Sequence, residues 1–381
     1  MTKADVIVKA IDKQISWLQA ADILGVTPRH MRRIKERYEQ QGDDGLRDHR
    51  GGRPRRKRIP LATLEELLRL RRTHYADFSI QHFWEFATEV HGLTLSYTAT
   101  RLALQAADLA EKAPARGKYR RQRERRPLVG LLLHLDGSTH PWVPEQPMQD
   151  LIVVQDDADS RILYARFVPQ EGTASTFVAL YEVLTRYGRF CELYTDRGSH
   201  FCRTTTAGAP PDEAQHGQVA RALEALGIRH IRARSPEARG RSERTFGTIQ
   251  GRLPHALRLH GITDYAAANH YLETSFVPAF NRRFTVRPAQ TGSAFTRLPS
   301  TDLALLLSSQ HRRVVRNDST VTFQGVVLQL PPTRDRRHYV RCPVLVHEFP
   351  DATLGISYAG RLLARFSPTG ELLPRRFPAA A

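Results

Sequence analysis

The chain has 381 residues and carries 57 Lys+Arg against 39 Asp+Glu, a formal net charge of +18. That length predicts two to four domains, and the surplus, in which arginine far outnumbers lysine, is the footprint of a partner rich in phosphate. Three cysteines, Cys191, Cys202 and Cys342, without CxxC or His-Cys spacing argue for a reducing compartment and against structural zinc; with no membrane-length apolar run and no signal-peptide pattern, a cytoplasmic, nucleoid-associated protein without membrane contacts is expected.

Residues 4 to 41 read as three short helices, with Ile7, Ala10, Ile11, Ile15 and Leu18 and then Met31, Ile34 and Tyr38 at helical spacing. Gly25 can end the second helix, Thr27 can cap the third and Pro28 fits its first turn. Helix, glycine turn, then a basic helix is the helix-turn-helix arrangement, so Arg29, His30, Arg32, Arg33 and Arg37 are candidate groove readers in a domain spanning 1–45. A Gly- and Arg-rich linker (46–60) follows, whose Arg53, Arg55, Arg56 and Arg58 suit a narrow minor groove or nearby phosphates. A second helical unit of similar pattern is expected over 61–110, with Gly92 as terminator and Thr94 or Ser96 as cap, followed by another basic linker (111–127) that includes Arg120 and Arg121. Two such modules on tethers would bind a long site through effective concentration.

From Pro127 the texture changes. Leu128 to Leu135 is an apolar run ending at Asp136; Leu151 to Gln155 and Ile162 to Val168 are further runs, separated by a turn containing Asp156, Asp157 and Asp159, acids that favour turns by bonding their own backbone. A helix over Thr173–Tyr187, a strand from Phe190 to Thr195, a helix through Val219 and Leu223, a short strand at Ile228–Ile231 and a helix opening near Gly240 complete the order. Three antiparallel strands and then alternating helices and strands define a mixed five-stranded sheet of ribonuclease-H-like type within a multidomain α/β chain. In that topology the first and fourth strands are neighbours, so Asp136 and Asp196 meet at one sheet edge, where chemistry concentrates in open sheets. Glu243, in the first turn of the last helix, can lean over the same edge; Glu237 is an alternative third acid. Carboxylates are hard oxygen ligands that suit Mg²⁺ and phosphodiester chemistry. Arg197, His200, Arg239, Arg241 and Arg244 would surround the acids with positive charge, and His140 or Trp142 is a candidate for contact with a base.

Val129–Ser138, Tyr194–Phe201 and Ser235–Leu253, above all Ser-Pro-x-Ala-Arg-Gly-Arg-x-Glu-Arg, resemble the three signature blocks of the DDE integrase-core transposases, and the whole resembles the ISNCY-like group of bacterial insertion-sequence transposases. The resemblance implies that Asp136, Asp196 and Glu243 are catalytic and bind two Mg²⁺ ions, with Mn²⁺ able to substitute. It implies hydrolysis at terminal inverted repeats, attack of the freed 3′-hydroxyl on target duplex DNA, and a homo-oligomer, dimer or tetramer, on paired ends. Two features depart from the pattern. The spacing from Asp196 to Glu243 is longer than in retroviral-type integrases, the excess falling in Cys202–Gln215, a candidate gate over the site. Gln250 stands where many relatives place Lys or Arg, leaving Arg244 or Arg252 to make that DNA contact. A regulator that kept the fold and lost activity, or a ribonuclease-H-like nuclease, are the alternatives.

The catalytic domain (128–285) is expected to end in a helix from Thr263 to Phe284 closing on Asn281-Arg282-Arg283-Phe284, a motif that the related transposases share. After a linker (286–312), short strands at Val321–Phe323, Val326–Leu330, Tyr339–Arg341, Val344–Val346, Leu354–Tyr358 and Leu362–Phe366 predict a small β-barrel over 313–381.

Overall fold

The computed structural model describes residues 2–46, 59–111, 124–198, 201, 217–233, 240–298, 302–333 and 336–374, in two compact units, Met1–Leu67 and Leu68–Ala381. The smaller unit holds α1 (Lys3–Ile11), α2 (Trp17–Ile23) and α3 (Pro28–Gln41). Thr2, Ser16 and Thr27 cap the three starts, each hydroxyl accepting a backbone N–H three residues on. Gly25 makes the turn between α2 and α3 at φ +63°, a conformation that costs glycine nothing. Val6, Ile7, Ala10, Ala20, Ala21, Met31 and Ile34 close the core beneath. Arg53, Arg55, Arg56 and Arg58 lie outside the described residues, as do Arg120 and Arg121.

Helix α4 (Leu61–Thr73) leads to α5 (Ile80–Glu89) and α6 (Tyr97–Ala106), the last two capped by Ser79 and Ser96. A tethered module is expected here; in the structure the division between the units falls inside α4, and α5 and α6 belong to the larger unit. The Phe78 ring stacks on His82 and on His255, with centroids 4.2 and 4.8 Å apart, and the buried Glu85 carboxylate is paired with Arg252 and Arg283. Nothing in a helical pattern reveals that one acid on its inner face has guanidinium partners 167 and 198 residues away.

The central sheet consists of β1 (Leu132–His140), β2 (Gln149–Asp156), β3 (Ile162–Val168), β4 (Glu192–Thr195) and β5 (Arg229–Arg232) in the order β3-β2-β1-β4-β5. The first three strands form an antiparallel meander, and β4 and β5 join in parallel. This is the ribonuclease-H-like arrangement expected. Side chains alternate between two apolar layers. On one face Leu133, Leu135, Ile152 and Val154 pack with Phe177 and Leu180 of α7 (Thr173–Tyr187) and Leu223 of α8 (Gln218–Ala225). On the other, Leu151, Val153 and Phe167 pack with Phe246 and Ile249 of α9 (Gly240–Gln250), Leu257 of α10 (Leu253–Leu259), Ala268 of α11 (Tyr265–Tyr271) and Phe280 of α12 (Val277–Phe284).

Two of these elements differ from expectation. Strand β1 does not end at Asp136 but runs on to His140, because Gly137 to His140 stay in antiparallel register with Ile152 to Gln149. Its start is delayed by Gly130, which sits at φ +79° with Phe295 so close that an added Cβ would fall 2.7 Å from its ring. The long helix expected to Phe284 is interrupted by a π-helical turn at Leu272–Phe276, just before Pro278 enters the first turn of α12; a residue without an N–H is accommodated by such a local rewinding. The outer edge of β3 is closed by two asparagines. Asn281 accepts from Ile162 N and donates to Ile162 O, both at 2.8 Å, and Asn269 makes the same pair of bonds with Phe167 at 2.7 and 3.2 Å.

Beyond α12, Ala294 and Thr296 donate backbone hydrogen bonds to Val129 and Arg189, both at 2.8 Å, so this stretch runs along the core. After α13 (Leu303–Leu306) come β6 (Ser309–Val314), β7 (Thr320–Phe323), β8 (Val326–Gln329), β9 (Pro343–Glu348), β10 (Leu354–Tyr358) and β11 (Arg361–Phe366). They pair as a four-stranded sheet, β11-β10-β9-β6, and a β7-β8 hairpin around one core; among the described residues no pairing closes them into the expected barrel. Tyr339–Arg341 is a turn rather than a strand, with Arg341 at φ +58° and Cys342 N donating to Tyr339 O at 2.9 Å. No described helix is long and apolar enough to cross a membrane.

Candidate active site

In the parallel pairing of β1 with β4, His134 stands opposite Tyr194. Two residues further along each segment lie Asp136, within β1, and Asp196, the first residue beyond β4, so the two acids follow the same end of this parallel pairing. Asp136 pairs across to Val153 of β2 and shares its face of the sheet, the face on which α9 lies. Three hydrogen-bonding side chains fix α9 there. Arg241 pairs with Asp157, Thr245 Oγ1 donates to Gln155 Oε1 at 2.9 Å and Gln250 Nε2 donates to Ser138 Oγ at 3.0 Å. Glu243 belongs to the first turn of this helix and is exposed. Asp136 is buried, and Asp196 is half-buried with its Oδ1 accepting from Gly198 N at 2.7 Å. The fold thus brings Asp136 and Asp196 to neighbouring strands and Glu243 to the helix above, but among the described residues no three His, Cys, Asp or Glu are gathered closely enough to hold a metal ion.

The acids of the β2–β3 turn do what turn acids do, and more. Asp156 Oδ1 accepts from Ala158 N and Asp159 Oδ1 from Arg161 N, both at 2.8 Å. All three are nevertheless buried. Asp156 Oδ2 accepts from Gly130 N at 2.7 Å, yet burial pushes its carboxyl up to about 6. Asp157 experiences the same burial, but hydrogen bonds from His134 and the Arg126 N–H, together with the Arg241 charge, hold it below the usual carboxylate range. His134 Nε2 lies 2.7 Å from Asp157 Oδ1, and Arg126 N donates to Oδ2 at 2.7 Å.

The candidate DNA contacts divide by exposure. Arg29, Arg32 and Arg33 are exposed on α3, whereas His30 and Arg37 are half-buried and Arg37 Nε donates to Arg33 O at 3.2 Å. Arg197 and Arg244 are exposed beside the acids. Arg241 and Arg252 are not: both side chains are largely buried in ion pairs, with Asp157 and Glu85 respectively. Arg239, His200, the alternative acid Glu237 and the Cys202–Gln215 loop lie outside the described residues. Trp142 cannot stack on a base, being fully buried with Nε1 donating to Ser138 O at 3.2 Å; an aromatic after a strand fits a core as well as a ligand, and the sequence does not separate the two. The partners missed in the sequence are Asp157 and Glu85. The only available signal for the first was three acids in one short turn, more than a turn requires.

Residues 7–63 match a family model described as "Winged helix-turn helix". Over 366 residues, 95% of this chain and 79% of the relative, the sequence is 30% identical to the Sinorhizobium fredii (strain NBRC 101917 / NGR234) protein named "Putative transposase y4bF". The chain belongs to the transposase family. This transposase is also 26% identical over 362 residues to the transposase for insertion sequence IS1202 of Streptococcus pneumoniae, spanning 85% of this chain and 77% of that one. Among solved structures it is similar to a chain of the simian T-cell lymphotropic virus intasome in complex with PP2A regulatory subunit B56 gamma (16% identity, 77% of this chain and 95% of that one, TM-score 0.36). It is likewise similar to the HTLV-2 integrase catalytic core domain in complex with magnesium, dimeric form (17% identity, 44% of this chain and 96% of that one, TM-score 0.32).

Proposed function

We propose that this transposase binds the terminal inverted repeats of its element and catalyses strand cleavage and strand transfer by a DDE mechanism in which Asp136, Asp196 and Glu243 hold Mg²⁺ or Mn²⁺. The observation that supports this reading is the parallel pairing of β1 with β4, since Asp136 and Asp196 each follow the His134–Tyr194 pair by two residues and α9, which bears Glu243, packs on the same sheet. The donor set suits the ions: three carboxylates offer hard oxygens, and phosphate and water oxygens can complete the shells. When bound, a pair of such ions activates the attacking oxygen and stabilises the leaving one.

The protein's own groups do the rest. Arg197 and Arg244, exposed beside the acids, bind the phosphates flanking the scissile bond. Arg244 also makes the contact that Gln250 cannot, since Arg252 is occupied by Glu85. Arg29, Arg32 and Arg33 of α3 contact the double-stranded DNA of the element's ends, with His30 and Arg37 supporting them from half-buried positions, and a homo-oligomer joins the two ends. Replacing Asp136→Asn, Asp196→Asn or Glu243→Gln is expected to abolish metal-dependent cleavage and joining of a duplex made from the DNA that flanks the reading frame, while binding to that duplex persists. Joining that survives in all three variants overturns the mechanism.

A further inference from the structure

Helix α9 packs on the sheet by one buried stripe, with a flank about 100° to either side of it in the helical wheel. Ser242, Phe246 and Ile249 are the buried stripe. Arg241 and Thr245, one turn apart, form one flank, and both reach the β2 side: Arg241 to Asp157, the residue after β2, and Thr245 to Gln155 within it. Glu243, Gly247 and Gln250 form the other flank, and Gln250 reaches Ser138 of β1, on the side of the sheet where β4 and Asp196 follow. Pinning one flank sets the rotation of the other.

Asp157 is a strong pin. It is fully buried, with its oxygens engaged by His134 at 2.7 Å, by Arg126 N at 2.7 Å and by Arg241, while its carbonyl accepts from Arg125 Nη1 at 3.0 Å. His134 is two residues before Asp136 in β1, and Arg241 is two residues before Glu243 in α9. One carboxylate therefore ties the strand carrying the first acid to the helix carrying the third. Removing one partner of a buried pair leaves the other charge uncompensated, so the contact is costly to break.

We infer that the Asp157–Arg241 ion pair is a positioning device that sets the rotation of α9 on the sheet and with it the reach of Glu243 towards Asp136 and Asp196. The inference rests on the reading of Glu243 as the third metal-binding acid. Neither Asp157 nor Arg241 touches the metal or the DNA; both act through Glu243.

The test compares Arg241→Gln, Arg241→Lys and Glu243→Gln with the unaltered full chain on the same flanking duplex. Mn²⁺ binding is read from loss of the free-ion electron paramagnetic resonance signal, and joining is measured separately. Arg241→Gln is expected to weaken Mn²⁺ binding and slow joining by tenfold or more with duplex affinity unchanged, and Arg241→Lys to recover most of both. Wild-type Mn²⁺ affinity and joining in Arg241→Gln overturn the positioning role while Glu243→Gln stays inactive; an active Glu243→Gln instead removes the reading of Glu243 as the third acid and the inference with it. Should Arg241→Gln not fold, Thr245→Val takes its place, since it deletes only the hydroxyl that bonds Gln155 on the same flank. A two- to fivefold weaker Mn²⁺ affinity is then expected, and an unchanged one overturns the proposal.

Discussion

Asn281 closes the exposed edge of β3 by presenting its amide as a substitute for a further strand, taking both the N–H and the C=O of Ile162. Unpaired strand edges invite pairing with other chains, and covering them is a recurrent remedy. Asn281→Ala removes two hydrogen bonds at a half-buried edge and should lower the stability of the larger unit by roughly 1–3 kcal/mol, read from urea midpoints; a loss below about 0.5 kcal/mol contradicts this assignment. The sequence showed Asn281 as part of a shared motif but gave no reason for it, because the partner is 119 residues away. The same limit applied to Trp142 and Arg252. Residue type proposed a ligand contact for each, while burial and partners, which only the folded chain displays, make one a core ring and the other half of an ion pair.

At the scale of elements, legibility followed the cleanness of the pattern. Strand β3 and helix α7 occupy the spans expected of them, Ile162–Val168 and Thr173–Tyr187, since alternation and helical periodicity are both strong there. The expected end of β1 falls short because its second half, Gly137-Ser138-Thr139-His140, is polar and its strand conformation rests on pairing with β2, which no local pattern shows. The edge strand β6, Ser-Gln-His-Arg-Arg-Val, was missed for the same reason. The docking of α5 was invisible altogether. For Glu85, burial pushes the carboxyl up, but hydrogen bonds from Arg252 and Gln81 and the charges of Arg252 and Arg283 hold it below its ordinary value. Glu85→Gln leaves two guanidiniums facing a neutral amide, a change of about 3–5 kcal/mol when a buried pair is broken. Hydrogen exchange of the α5 and α6 amides should accelerate tenfold or more while β1 to β3 stay protected. Equal protection in the variant and the parent would show that the aromatic stack of Phe78, His82 and His255 holds the helices without the ion pairs.

Among the described residues His82 and His347 are buried and His230 is half-buried, and all three sit where charge is unwelcome. His82 on α5 is lowered to about 4 by burial and by Arg252, His230 on β5 to about 4 by burial and by Arg232, and His347 on β9 to about 4 by burial and by Arg221. Each folded-state value lies below the unfolded one near 6.5. Between about 4 and 6.5 the unfolded chain therefore binds more protons than the folded one, so stability is full above 6.5 and is lost as the pH falls towards 4. The effect is roughly 1–3 kcal/mol for each histidine. Asp156 works in the opposite sense: raised to about 6 by burial, it favours the fold while protonated, and its contribution is lost as the pH rises through that value. One carboxylate offsets one histidine at most, so the sum still rises with pH. The melting temperature of the full chain should accordingly increase from pH 5 to pH 7. His230→Gln, whose side chain keeps a polar partner for Thr195 without a titrating proton, should flatten that increase by about a third. A melting temperature independent of pH over this interval would mean that the histidines open to water before the chain unfolds.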